Sequence, residues 1–126
     1  MVTQVDHIEL IVDDIDGYVR VFQAMGFKLL SQTTHHGVSV ELQLPGANQP
    51  IFELHQVSGE EVIGVNHIAF RVEDVQQAYD TLKAYGVRFE REPHYVKETG
   101  RTIANGRDPD GWRFQLADAK RRAPAA

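Results

Sequence analysis

The chain has 126 residues, 42% of them hydrophobic and 25% charged, with a formal net charge of −5 and no cysteine. That length holds one core but not two ordinary independent domains, and no apolar run approaches the ~20 residues of a membrane span. Without cysteine there is no disulfide, thiolate nucleophile or zinc–thiolate cluster, and the acidic balance argues against a nucleic-acid partner. His, Asp, Glu, Asn and Gln are left to carry chemistry.

Met1-Val2-Thr3-Gln4 leads into a strand without a secretory pattern, so the expectation is a cytoplasmic protein with no membrane partner. From Val5 to Val12 the odd positions His7, Glu9 and Ile11 share one face of that strand, and Ile8, Leu10 and Val12 form the core face. Asp13 or Asp14 then caps a helix carrying Ile15, Tyr18, Val19, Phe22 and Met25 at helical spacing, with Gly26 as its C′ residue. Phe27 to Thr34 reads as a strand, His35-His36-Gly37 as a turn, and Val38 to Leu44 as a third strand, apolar at even positions. Pro45 to Pro50 breaks the pattern, and Ile51 to Gln56 is the fourth strand.

After a Ser/Gly/Glu connection from Val57 to Gly64 the order repeats. Val65-Asn66-His67-Ile68-Ala69-Phe70-Arg71-Val72 stands sixty positions after its near copy Val5-Asp6-His7-Ile8-Glu9-Leu10-Ile11-Val12. Val75, Ala78, Tyr79, Leu82 and Tyr85 repeat the helical face, and Gly86 repeats Gly26. Val87 to Arg91 and Arg101 to Arg107 are the sixth and seventh strands, joined by a polar loop or loosely paired segment with Pro93, His94, Tyr95 and Lys97. Asp108-Pro109-Asp110-Gly111 is a turn, and Trp112 to Ala117 the eighth strand. The expected organisation is α+β: one domain of two βαβββ modules, about 4–57 and 64–118, with a solvated tail over 119–126 that holds Lys120-Arg121-Arg122.

Aligning the last strands sets Phe52-Glu53-Leu54 against Phe114-Gln115-Leu116, so each half offers a histidine on its first strand and an oxygen ligand on its last. His7, Glu53, His67 and Gln115 together suit one divalent first-row metal ion such as Ni, Co, Mn, Fe or Zn, with positions left for substrate. Glu9 shares the strand face of His7, and His55 that of Glu53; both are candidate substrate contacts. Each strand histidine alone reads as an interior residue, and Trp112 as a core or interface aromatic. The duplication is what favours a site.

With these histidines, the helix ending Met25-Gly26-Phe27, Phe52-Glu53-Leu54 and the run from Asp108 to Leu116, the chain resembles the vicinal oxygen chelate superfamily. That group includes glyoxalase I, methylmalonyl-CoA epimerase, extradiol dioxygenases and bleomycin-resistance proteins. The resemblance covers nearly the whole chain and implies a curved sheet around a metal cleft, with His7, Glu53, His67 and Gln115 at the ligand positions. In the glyoxalases and epimerases the last position is usually glutamate, so Gln115 is a departure: an amide coordinates but takes no proton. Ile11 stands where glyoxalase I has an arginine for the glutathione carboxylate, and Arg71, its counterpart in the second half, is a candidate substrate contact for some other anionic group.

The resemblance implies a metal-dependent lyase or isomerase that chelates neighbouring substrate oxygens and removes a C–H proton through an enediolate, with Glu53 as catalytic base. An extradiol-type dioxygenase using His7, His67 and Glu53 and a non-catalytic small-molecule-binding protein are the competing expectations. Exposed strand edges and helix flanks favour a homodimer.

Overall fold

The computed structural model describes residues 1–33 and 38–119; the expected His35-His36-Gly37 turn and the Lys120-Arg121-Arg122 tail lie outside the described residues. The elements in chain order are β1 (Val2–Val12), α1 (Ile15–Ala24), β2 (Lys28–Thr33), β3 (Ser39–Gln43), β4 (Ile51–Gln56), β5 (Gly64–Val72), α2 (Val75–Ala84), β6 (Arg88–Phe89), β7 (His94–Val96), β8 (Arg101–Arg107) and β9 (Arg113–Ala117). This is the expected α+β pair of βαβββ modules with one addition. The segment expected as a polar loop or loosely paired stretch contains β7, which pairs antiparallel with β8 through His94↔Ile103 and Val96↔Arg101. Among the described residues no helix is long and apolar enough to cross a membrane.

The helices start where the acidic pairs predict. Asp14 accepts from the Gly17 amide and Asp74 from the Gln77 amide, each at 3.0 Å, which satisfies a first-turn donor otherwise left without a partner. After each helix a glycine takes the left-handed conformation, Gly26 at φ 102° and Gly86 at φ 94°, where a side chain would be strained.

The chain packs as two compact units, His7–Asn66 and Met1–Asp6 with His67 onward, so the boundary falls inside β1. In the first-repeat unit the strand order is β2-β3-β4-β1. The β1–β4 pair is parallel and the others antiparallel. Val12, Val40, Leu42 and Leu54 form its core, with Leu10, Ile15, Val19, Phe22 and Phe27 packed against them. The rings of Phe22, Phe27 and Phe52 meet at centroid distances of 4.8, 5.5 and 5.3 Å, the range of tilted and edge-on aromatic contact. The even face of β1 is thus the core face, as its alternation predicts.

In the second-repeat unit β5 pairs parallel with β9, and β9, β8 and β6 follow antiparallel. Val72, Val75, Ala78, Tyr79, Ala104 and Leu116 form the core, with Phe70, Leu82, Phe89 and Phe114 against it. The leading residues of β1 are fastened here by an ionic cluster. Asp6, 2% exposed, takes Arg101 Nη1 and Nη2 at 2.7 and 2.8 Å, and Arg71 Nε and Nη2 at 3.0 and 2.9 Å. Arg101 is itself 4% exposed and donates Nε to the Asp118 carbonyl at 2.8 Å. Buried charge is tolerated only when paired and hydrogen-bonded, and here both conditions hold. Asp6→Ala removes the counter-charge and leaves Arg101 buried without it. Urea denaturation of the variant should show a loss of about 3–5 kcal/mol, and a midpoint equal to wild type would show that the pair contributes nothing.

Candidate functional site

The first-repeat unit holds His7, Glu9, Glu53 and His55. Register sets Glu9 opposite Glu53 across β1 and β4, Glu41 opposite Glu53 across β3 and β4, and Ser31 opposite Glu41 across β2 and β3. Leu10, Leu42 and Leu54, the neighbours of these residues in sequence, turn into the α1 core. Alternation therefore puts Glu9, Glu53, Glu41 and Ser31 in one row on the opposite face. Glu41 is 7% exposed and accepts a 2.6 Å hydrogen bond from Ser31 Oγ. Three carboxylates directly opposed on adjacent strands repel one another, an arrangement that ordinary sheet packing avoids and that a cation or a proton would relieve. His7, 8% exposed, lies on the same face one residue pair away, opposite Ile51.

On the other side of that row Ser39 is opposite His55. His55 Nδ1 lies 3.1 Å from Ser39 Oγ, and its Nε2 lies 3.2 Å from Glu61 Oε1. Glu61 is in turn held by the Ser58 amide at 2.9 Å. The tautomer with its proton on Nε2 would donate to Glu61 and accept from the serine hydroxyl at Nδ1. Both ring nitrogens of His55 are therefore engaged inside this unit, and Ser39 and His55 are buried at 6% and 5% exposure.

The second-repeat unit holds His67, Arg71 and Gln115. Ala69 is opposite Gln115, and Gln115 opposite Asn105, so the row equivalent to the three glutamates reads Ala69, Gln115, Asn105. Gln115 Nε2 donates to Asn105 Oδ1 at 3.1 Å, which commits the amide nitrogen and leaves the oxygen as the atom able to ligate a cation. His67 is 8% exposed and shares the odd face of β5 with Ala69. Arg71 is drawn to Asp6, as described above, and its side chain is 31% exposed.

Each unit thus presents a first-strand imidazole and at least one oxygen donor on the face away from its helix, a donor chemistry that fits a divalent first-row ion. Among the described residues no three His, Asp or Glu side chains are grouped closely enough to hold an ion between them. Two cavities of the second-repeat unit, of about 300 and 820 Å³, take in none of the candidate ligands; the larger is lined mainly by apolar side chains of the helix face, among them Phe70, Leu82, Tyr85 and Phe114.

Glu41, Ser39 and Asn105 are site-face residues that the strand patterns did not single out. The missing step was hairpin register. Pairing Gln43 with Ile51 across the Pro45 to Pro50 break brings Glu41 against Glu53 two residues on.

Residues 4–116 match the model of the Glyoxalase/Bleomycin resistance protein/Dioxygenase superfamily. A probable lactoylglutathione lyase of Vibrio cholerae is 32% identical over 123 residues, covering 90% of this chain and 89% of that protein. A variant of Streptomyces coelicolor methylmalonyl-CoA epimerase in complex with 2-nitronate-propionyl-CoA has the same fold, with a TM-score of 0.74 and 23% identity over 94% of this chain and 98% of its own. The 2,3-dioxygenase LapB from Pseudomonas sp. KL28 is similar over 98% of this chain and 44% of its own, with a TM-score of 0.73 and 20% identity. A fold of two βαβββ modules and a family match spanning nearly all of the chain lead to one conclusion: it belongs to the glyoxalase/bleomycin resistance protein/dioxygenase superfamily.

Proposed function

We propose that the protein is a metal-dependent lyase or isomerase of glyoxalase or epimerase type, acting on a small molecule with two neighbouring oxygens and an acidic C–H bond. The observation that carries this reading is the row Glu9, Glu53, Glu41, set against Ala69, Gln115, Asn105 at the equivalent positions of the second repeat. Only the first row can take a proton. His7, Glu53, His67 and Gln115 are the proposed ligands of one divalent ion, which when bound supplies Lewis-acid polarisation of the substrate oxygens. Glu53 is the proposed base, removing the proton from the substrate carbon. Glu41, withdrawn from solvent and steadied by Ser31, stands directly beside it and fixes the field in which that carboxylate works. Glu9 flanks Glu53 on its other side.

Glutathione fits poorly as the substrate. Ile11, at the position where the resemblance places an arginine, is 2% exposed, and the guanidinium of Arg71 is engaged by Asp6. A dioxygenase using His7, His67 and Glu53 is the alternative that the fold likeness to LapB keeps open; oxygen uptake by iron-loaded protein would identify it.

Metal analysis should find about one divalent ion per chain, the expectation for one set of four ligands, and His7→Ala or His67→Ala should each lower the occupancy sharply. Full occupancy in the double variant would remove the basis of the reading. Glu53→Gln should retain metal through its amide oxygen while proton exchange at the substrate carbon falls by about a hundredfold or more. Wild-type exchange in Glu53→Gln, together with loss in Glu41→Gln, would move the base to Glu41.

The proposal includes a homodimer. Helix α1 has no buried residue, and Tyr18 and Val21 on it and Met25 at its C-cap are exposed at 42%, 57% and 58%, a run of apolar surface that pairing would cover. Light scattering at micromolar concentration should give twice the chain mass; a monomer would refute it.

A further inference from the structure

Beside the row Ala69, Gln115, Asn105 lies a second one that nothing above uses. Strand register sets Arg88 opposite Arg107 and Arg107 opposite Arg113, so three arginines stand side by side across β6, β8 and β9. Phe89 and Phe114, their neighbours in sequence, pack into the α2 core, and alternation turns the arginines to the other face, the one that carries Gln115. Arg113 and Gln115 are successive same-face residues of β9, about 7 Å apart along the strand. Like charges directly opposed on neighbouring strands destabilise a sheet, and here the arrangement occurs twice in succession, in a chain whose net charge is −5.

One carboxylate meets two of the three guanidiniums. Glu90 meets Arg107 Nη2 at 2.9 Å and Arg113 Nε at 3.2 Å. Arg88 has no ion-pair partner among the described residues. Asp108, next in sequence to Arg107, spends its carboxylate on the Trp112 amide at 2.7 Å. The Arg107 and Arg113 side chains remain 41% and 34% exposed, open to a solute. In the first repeat the equivalent positions are Lys28, Gln43 and Ile51, of which only Lys28 is charged, so the full basic row belongs to the second half alone.

We propose that Arg88, Arg107 and Arg113 form an anion-holding row that receives the carboxylate or phosphate end of the substrate. Planar guanidiniums bind both groups through paired N–H donors, and a bound anion replaces the repulsion within the row by charge-assisted hydrogen bonds. This deepens the proposed function: the substrate class becomes a small anionic molecule whose reacting carbon lies about one residue pair from its charged end. Glu90 acts as the resident counter-ion that the ligand displaces in part.

The test is calorimetric titration of the intact protein with inorganic phosphate and, in a second arm, with propionate. Whichever probe binds more tightly identifies the charged group preferred. Arg88→Ala, an exposed position whose loss leaves the Glu90 pairs intact, should weaken that binding at least tenfold, and Glu90→Gln should strengthen it severalfold by removing the competing carboxylate. Rising salt should weaken it in the wild type. No binding of either probe at 10-millimolar order (~10 mM, far weaker than the micromolar to millimolar range of substrate sites), or affinities unchanged in both variants, would overturn the proposal. Binding is read without turnover or metal, so a protein without a metal would sink the proposed reaction and leave this result standing, and the reverse outcome is equally legible.

Discussion

Asp6 is the constraint on which the second-repeat unit depends. A carboxylate that is 2% exposed holds a guanidinium that is 4% exposed, and Arg101 simultaneously caps the end of β9 through the Asp118 carbonyl. Three segments distant in sequence are therefore fixed by one charged cluster: the start of β1, the start of β8 and the end of β9. Thr102 and Thr3 extend it, the first by its amide to the Asp118 carboxylate at 3.2 Å, the second by its hydroxyl to the Arg71 carbonyl at 3.2 Å. An apolar cluster of the same volume would be at least as stabilising. What the ions add is direction, because a bidentate pair accepts one register and apolar contact accepts several.

The duplication has diverged in charge more than in shape. Each repeat keeps its helix cap, its C′ glycine and an apolar face against the helix, and each turns a polar face the other way. On that face the first repeat gathers carboxylates, Glu9, Glu53 and Glu41, and the second gathers amides, Gln115 and Asn105, with arginines alongside. A symmetric ancestor would offer the same chemistry twice. In this chain that face carries carboxylates in one half and amides with arginines in the other.

Much of this was legible from residue patterns. The helices, their Asp14 and Asp74 caps, and the core faces of β1 and β3 follow from periodicities of 3.6 and 2, which are local. The polar cluster behind β3 was not legible, because Ser39 and Glu41 alternate with Val40 and Leu42 as solvent-facing residues would, and only the register with β4 and β2 reveals that they are buried with partners. Asp6 was missed for a similar reason. It stands on the apolar face of β1, and the arginines that neutralise it lie 65 and 95 positions away. The segment that holds β7 stayed open between loop and loose pairing because Pro93 and the polar residues after it carry turn chemistry, which its pairing with β8 overrides.

The packing boundary inside β1 gives the duplication an unexpected topology. The sequence repeat runs from Val5, yet the residues up to Asp6 pack with the second copy, so the repeat and the packing unit are out of phase. Cleaving the chain in the Val57 to Gly64 connection would not release two self-sufficient halves. The amino-terminal fragment would carry Asp6 without its arginines, and the carboxy-terminal fragment would carry Arg71 and Arg101 without their carboxylate. Each fragment would lack the charge that the other holds, so the ion cluster ties the two sequence repeats together across their own boundary.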